Sequence, residues 1–125
     1  MKEIIFTENA PAPIGPYSQG ILTEGKILFV SGQIPLTPDG TLAGNDIVSQ
    51  THQALKNVLA VVEKSGGTAE NIVKTTVLMK DLSDFAIMNE IYEQYLGNSK
   101  PARAAYQVAR LPKDVLIEIE AIAVI

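Results

Sequence analysis

Arginine and glutamate residues near the end of the chain are the side chains best suited to chemistry. Glu118 and Glu120 alternate with apolar residues over 115–123, and strand alternation places both carboxylates on one face. Arg103 stands beside small alanines that leave room for a ligand, and its planar guanidinium can bind a carboxylate bidentately. Purely structural roles fit these patterns equally well: exposed ion pairs for the glutamates, and an Arg–Glu pair across two strands for Arg103.

Other kinds of reactive group are scarce. The chain has no cysteine and one histidine, His52, which we predict to be an exposed helix residue. No glycine-rich phosphate loop occurs. We therefore predict a site of arginine, carboxylate, tyrosine, backbone and water, with no metal and no organic cofactor. The net charge of −4 and the pI near 4.9 argue against nucleic acid as a partner.

Two loops have the composition of ligand-binding segments. Residues 11–19 contain three prolines, whose fixed dihedrals stiffen the loop. Residues 31–35 follow an apolar run directly, and the glycine at 32 permits a ligand to approach the backbone closely. Either loop could equally be a structural turn.

Two amphipathic helices must position these residues. One follows Asn45 and Asp46, either of which can cap it, and has a helical repeat of apolar residues that ends at Gly66 and Gly67. The second begins near Ser83 and ends at Gly97, ahead of a proline.

Strands are predicted in the remaining segments. Residues 21–23 and 26–30 suggest a hairpin across Glu24 and Gly25, whereas 71–80 is apolar on both sides and suggests a central strand. Residues 102–108 and 115–125 are the last two strands. With one further strand ahead of the hairpin, the predicted order is β-β-β-α-β-α-β-β. We expect one domain over 1–125, of the two-layer α+β class, with two helices on one face of a mixed sheet of about six strands. Its other face would be covered by another subunit.

No apolar run is long enough to span a membrane, and the first residues lack the apolar core of a signal peptide. We therefore expect no membrane partner and a cytoplasmic location.

Several motifs together resemble those of the RidA/YjgF family. They are NAP at 9–11, IGPYSQ at 14–19, SGQIP at 31–35, PAR at 101–103, VARLPKDV at 108–115 and IEIEA at 117–121. The similarity covers essentially the whole chain. It implies the chorismate-mutase-like fold and a homotrimer whose sheets line a central barrel, with a ligand pocket at each subunit interface.

The resemblance also implies an activity. Family members are hydrolases acting on C=N bonds, which convert reactive enamines and 2-imino acids such as 2-iminopropanoate and 2-iminobutanoate to 2-oxo acids and ammonia. By motif, Arg103 resembles the arginine that binds the substrate carboxylate, and Glu118 resembles the residue that directs the attacking water. The positions that match pocket residues are Tyr17, Ser31, Gly32, Phe85 and Asn89.

The chain departs from the family pattern after Arg103. Ala104 and Ala105 stand where many members have Ser-Cys or Thr-Thr, so only the backbone of Ala105 is left to contact substrate and water. The alternative to an enzyme is a trimeric binding or regulatory module for 2-oxo acids or for a protein partner. The glutamate beside the arginine favours the enzyme, because carboxylate binding alone needs no water-directing acid.

Overall fold

The structure, a computed structural model, describes residues 2–125. Two helices and six strands occur along these residues in the predicted order. The strands are β1 (Lys2–Ile5), β2 (Gly20–Thr23), β3 (Ile27–Gln33), β4 (Ile72–Met79), β5 (Ala102–Gln107) and β6 (Ile117–Val124). The helices are α1 (Ile47–Lys64) and α2 (Phe85–Leu96), and three short 3-10 turns cover Ala69–Asn71, Leu82–Asp84 and Pro112–Asp114.

Both helices begin and end as their sequences predict. Asp46 caps α1 by accepting a hydrogen bond from the backbone N–H of Ser49 at 2.8 Å. Beyond its last turn, Gly66 adopts a φ of +93°, a conformation that favours glycine. A 3-10 turn leads directly into α2, whose C-cap residue is Gly97.

The main sheet has four strands in the order β3-β6-β4-β5. β4 is central, as predicted, and it pairs antiparallel with β6 and parallel with β5. The parallel pairing follows from the crossover through α2. Both helices pack on one face of this sheet, where the apolar side chains of β4 and β6 form the core. The α+β class with two helices on a mixed sheet is confirmed.

The predicted hairpin between residues 21–23 and 26–30 is wrong. β2 instead pairs antiparallel with β1 in a separate two-stranded ribbon, and β3 pairs with β6. Pairing with β6 places Val30 against the helices, where it is 4% exposed. The burial of apolar surface against the helices favours this long-range pairing, whereas the turn residues report only on the local chain.

The second face of the four-stranded sheet is uncovered in the single chain. Large apolar side chains on it are exposed, among them Ile27 (59%), Phe29 (72%) and Tyr106 (54%). We call this surface, with Glu118 and Glu120 upon it, the open face. None of the helices within residues 2–125 is both long and apolar enough to cross a membrane.

Candidate active site

Arg103 lies on β5, the edge strand, and its side chain extends toward the helices. Strand pairing places it beside Thr75 of β4, a fully buried residue on the helix-facing side of the sheet. Its guanidinium donates a hydrogen bond from Nη1 to Oδ1 of Asn89 in α2 at 2.7 Å. The edge strand and the second helix thus hold the arginine between them.

Three aromatic rings surround the guanidinium of Arg103. The ring centroids lie 5.4 Å from Cζ for Tyr17, 5.5 Å for Phe85 and 4.7 Å for Tyr92. Distances under about 6 Å are typical of cation–π contacts. Within residues 2–125 no carboxylate forms an ion pair with Arg103. No acidic side chain in that range neutralises its charge, which is therefore available to an anion.

Burial lowers the pKa of Arg103, and the nearby Tyr92 and Tyr17 oppose that shift. An arginine remains charged in spite of such a shift. A partly desolvated cation without a counter-ion attracts a carboxylate more strongly than an exposed arginine does, because the surrounding dielectric is lower.

The loop of residues 11–19 brings backbone close to this arginine. The side chain of Gln19 donates to three carbonyl oxygens, those of Thr7, Ala10 and Pro11, and so closes the loop upon itself. Its end is attached near the start of β5: Ser18 forms a bridge with Ala102, and its hydroxyl donates to the carbonyl of Lys100, just ahead of that strand. A Cβ atom on Gly15 would lie only 3.5 Å from Nη2 of Arg103. The expected stiffness therefore comes from hydrogen bonds as well as from prolines.

Glu118 lies on β6, on the open face. It is paired in register with Leu78 of β4 and shares its face with the exposed Glu120. The pairing of β3 with β6 is irregular between Val30 and Gln33, and the Glu118 side chain packs against Gly32 within this bulge. A Cβ on Gly32 would overlap the carboxylate, and so the bulge needs glycine here.

The pKa of Glu118 is raised, first by burial and second by the charge of Glu120. A raised pKa makes a carboxylate a better proton acceptor, which suits a general base. Gln50 of α1 fixes the chain just ahead of β6, since its side-chain oxygen accepts from the backbone N–H of Leu116 at 2.7 Å. Sequence patterns did not indicate this role for Gln50.

The single chain does not bring Arg103 and Glu118 together. β4 lies between their strands, and their partners on β4 are Thr75 and Leu78. Residues three apart on a strand point to opposite faces of the sheet. A structural pair of Arg103 with a glutamate is likewise not formed among residues 2–125.

The other predicted site residues divide between these two locations. Tyr17, Phe85 and Asn89 contact Arg103, and Gly32 contacts Glu118. Ser31 is exposed in the β3 bulge, next to Gly32. Ala105 lies two residues beyond Arg103 on the helix-facing side of β5 and packs against the core.

Tyr92 was missed as a site residue, although the sequence contained a signal for it. It lies three residues after Asn89 and seven after Phe85, and this spacing places all three on one side of α2. The apolar face explained Tyr92 as a core residue, and it is indeed fully buried.

His52 lies in α1 as predicted, but its predicted exposure is wrong. The residue is half-buried, and its Nδ1 lies 2.6 Å from the hydroxyl of Tyr95 in α2. It follows Thr51 at the margin of the buried face of α1, where the second helix meets the first. The periodicity of α1 alone did not reveal which helix it would face. Among residues 2–125, no cluster of three His, Cys, Asp or Glu side chains is arranged to hold a metal ion.

The fold and the surroundings of Arg103 define a two-layer α+β protein with an arginine able to bind a small anion. The family model described as endoribonuclease L-PSP matches residues 7–125. A RutC family protein of Pyrococcus horikoshii is 58% identical over 124 residues, which are 98% of each chain. The 2-iminobutanoate/2-iminopropanoate deaminase of Salmonella typhimurium is 51% identical, covering 99% of this chain and 98% of the relative.

A solved structure supports the same assignment. Escherichia coli TdcF with bound serine is 46% identical and matches with a TM-score of 0.75 over 98% of each chain. The chain therefore belongs to the RidA/YjgF family.

Proposed function

We propose that this protein is a hydrolase that converts 2-imino acids, such as 2-iminopropanoate and 2-iminobutanoate, to 2-oxo acids and ammonia. One observation carries the proposal: Arg103 is a partly buried cation, enclosed by aromatic rings and bound to Asn89, with no ion-pair partner among residues 2–125. A carboxylate fits that environment. Relatives about half identical to this chain are named as deaminases of these imines, and TdcF holds serine, which also carries a carboxylate.

The chemistry needs positioning and one proton acceptor. Arg103 binds the carboxylate, and Glu118 orients a water and accepts its proton as the oxygen bonds to the imine carbon. The imine reacts with its nitrogen protonated, so the electron pair of the C=N bond moves to nitrogen and leaves a neutral amine on the carbon that now carries the hydroxyl. Glu118 then returns its proton to the amine, the C–N bond breaks, and ammonia leaves while the hydroxyl proton passes back to the Glu118 carboxylate as the carbonyl forms. Such help is worth about 10²–10⁴-fold, which suffices for an imine that already hydrolyses readily.

The complete site is proposed to lie between subunits. Arg103 and Glu118 are on opposite faces of their own sheet, so a single chain cannot apply both to one substrate. A neighbouring subunit that covered the open face would bury Ile27, Phe29 and Tyr106 and could bring its own arginine to Glu118. The cyclic homotrimer implied by the family resemblance satisfies both needs.

Ala105 contributes backbone groups only. It lies on an edge strand, which has the neighbour β4 on one side and, within residues 2–125, only the Ser18–Ala102 bridge on the other. Edge strands present N–H and C=O groups outward, so those of this segment are suited to bind substrate and water. We propose that activity persists without the thiol or hydroxyl of other members.

The endoribonuclease description of the family model does not extend well to this chain. Its one histidine, His52, is hydrogen-bonded to Tyr95 between the helices and does not contact Arg103 or Glu118. The net charge of −4 also disfavours binding of a phosphate backbone.

The central test is Arg103→Ala in an assay that generates imines in situ with an amino-acid oxidase. We expect the variant to lose all acceleration of imine disappearance, because the carboxylate loses its partner. Arg110→Ala is the matched control, since Arg110 is exposed and pairs with Asp114. Near wild-type turnover by Arg103→Ala would remove the proposal.

A non-catalytic binding module is the second candidate. The observation in its favour is that one chain supplies the arginine pocket without Glu118. Calorimetry with 2-oxobutanoate separates the two: binding without any hydrolysis of imines by the wild-type protein would favour a module that senses 2-oxo acids.

A further inference from the structure

We infer that Tyr92, held in place by Thr75, is a positioning residue that sets the plane of the Arg103 guanidinium for the substrate carboxylate. This inference rests on the proposed function, because it assigns Tyr92 a task within that same site. Tyr92 touches no substrate in this scheme and acts only through Arg103.

The contact between Tyr92 and Arg103 is the shortest of the three aromatic contacts. Cζ lies 4.7 Å from the Tyr92 ring centroid, compared with 5.4 and 5.5 Å for the other rings. Unlike Tyr17 and Phe85, which are half-buried, Tyr92 is fully buried. The ring that lies nearest to the cation is therefore also the one least free to move.

The hydroxyl of Tyr92 is hydrogen-bonded to the residue of β4 that pairs with Arg103. It lies 2.7 Å from Oγ1 of Thr75, and the two hydroxyls share a hydrogen bond in a fully buried location. Thr75 is also the strand partner of Arg103. The paired residues Thr75 and Arg103 therefore fix both the backbone from which the arginine side chain extends and the aromatic ring that its guanidinium contacts.

Asn89 and Tyr92 constrain the guanidinium in complementary ways. Asn89 accepts a hydrogen bond from Nη1 and so holds one edge of the group. Tyr92 lies at ring-contact distance and limits tilting. The two residues are one helical turn apart on α2, so a single rigid element applies both constraints. A planar group held in this way meets a carboxylate with less loss of freedom on binding.

A core role alone accounts for the ring but not for the hydroxyl. Phenylalanine would fill the same volume without burying a polar group, which is costly unless it is hydrogen-bonded. Burial raises the pKa of Tyr92, against the opposing influence of Thr75 and Arg103, and so the phenol stays neutral. A neutral hydroxyl bonded to Thr75 fixes the orientation of the ring beneath the cation.

The main test replaces the ring by an apolar side chain, Tyr92→Leu. We expect the KM for the imine and the Kd for 2-oxobutanoate to rise about 3- to 30-fold, the range that corresponds to one partly desolvated cation–π contact. We expect kcat to change far less, since carboxylate binding serves substrate and transition state alike. The matched control is Tyr95→Leu, one turn further along α2, where the hydroxyl contacts His52 instead. It should leave KM and Kd within about twofold of wild type.

Two milder variants keep the test valid if Tyr92→Leu does not fold. Tyr92→Phe and Thr75→Val each remove one end of the same hydrogen bond and should raise Kd about two- to fivefold. The Kd of the double variant should not exceed the higher of the two single-variant Kd values, because both substitutions break the same hydrogen bond. Fully independent effects of the two substitutions on Kd would contradict the coupling.

A spectroscopic measurement separates this inference from the proposed function. The chain has two arginines, so the ¹⁵N–¹H signals of their Nε–H groups can be assigned with Arg103→Lys. In Tyr92→Leu the Arg103 signal should shift away from its wild-type position, whereas Tyr95→Leu should leave it in place. An unchanged signal together with an unchanged Kd in Tyr92→Leu would overturn the inference. Wild-type protein that neither binds 2-oxobutanoate nor hydrolyses imines would instead refute the proposed function.

Discussion

Arg103 and Glu118, the two charged residues proposed for the chemistry, lie in very different surroundings. Arg103 is enclosed within one chain by a loop, a helix and an edge strand, with its hydrogen bond and aromatic contacts already formed. Glu118 lies on the open face, against a glycine in a strand bulge and close to exposed apolar side chains. Under the proposed function, the chain builds the binding half of the site by itself, and another subunit completes the hydrolytic half.

This difference bears on how activity and binding can be separated. The proposed binding of a carboxylate uses contacts that a single chain provides, and so a change on the open face should affect it little. Hydrolysis depends on both faces and, under the proposal, on two chains. Variants of the two residues should therefore fail in distinct ways.

The largest expected effect is that of Glu118→Gln on turnover. We expect kcat for imine hydrolysis to fall about 10²–10⁴-fold, because the amide cannot accept the proton of the attacking water. The Kd for 2-oxobutanoate should remain within a few-fold of wild type, since the surroundings of Arg103 are unchanged. Steady-state kinetics and calorimetry on the same preparation measure both quantities.

Glu120→Gln is the control for the loss of one negative charge, since Glu120 lies on the same face but is more exposed. It should retain most of the turnover. A loss of 2-oxobutanoate binding in Glu118→Gln equal to that in Arg103→Ala would show that the two locations are not separate.

The next effect tests the division of the site between chains. Arg103→Ala and Glu118→Gln are each inactive alone, but mixed trimers would contain some sites with an intact arginine from one chain and an intact glutamate from the next. Random reassembly of equal amounts in a cyclic trimer should restore about a quarter of wild-type activity. Turnover after denaturation and joint refolding is the measurement, with each variant refolded alone as control. Absence of any recovery from verified mixed trimers would overturn the proposed division of the site between chains.

The sequence predicted those parts of the fold that depend on local patterns. The periodicity and caps of α1 and α2 located both helices, and the apolar character of 71–80 identified β4 as the central strand. The predicted partner of β3 was wrong. Turn residues suggested a local hairpin, whereas Val30 is buried where β3 pairs with β6, which is distant in the sequence. Local signals do not report the stability of a long-range pairing.

The candidate site was predictable to a similar extent. Strand alternation placed Glu118 and Glu120 on one face, as the structure has them. The opposite orientation of Arg103 depends on the register of β5 and β6 on the intervening β4, which no single strand contains. The family resemblance pointed to Asn89 and Phe85, which contact Arg103, but not to Tyr92 and Thr75, which complete its surroundings.

The smallest expected effect concerns stability and pH. The pKa of Glu118 is raised, so the folded protein favours the protonated carboxyl more than the unfolded chain does. Wild-type stability should therefore fall relative to Glu118→Gln as pH rises through that raised pKa, and the two proteins should converge below the ordinary pKa of glutamate. Screening by water keeps the difference below about 1 kcal/mol. Urea unfolding at a series of pH values measures it. A wild-type protein that gains on Glu118→Gln with rising pH would mean that a cation lies close enough to lower the pKa of this carboxylate, and the raised pKa of Glu118 would then not apply to the assembled protein.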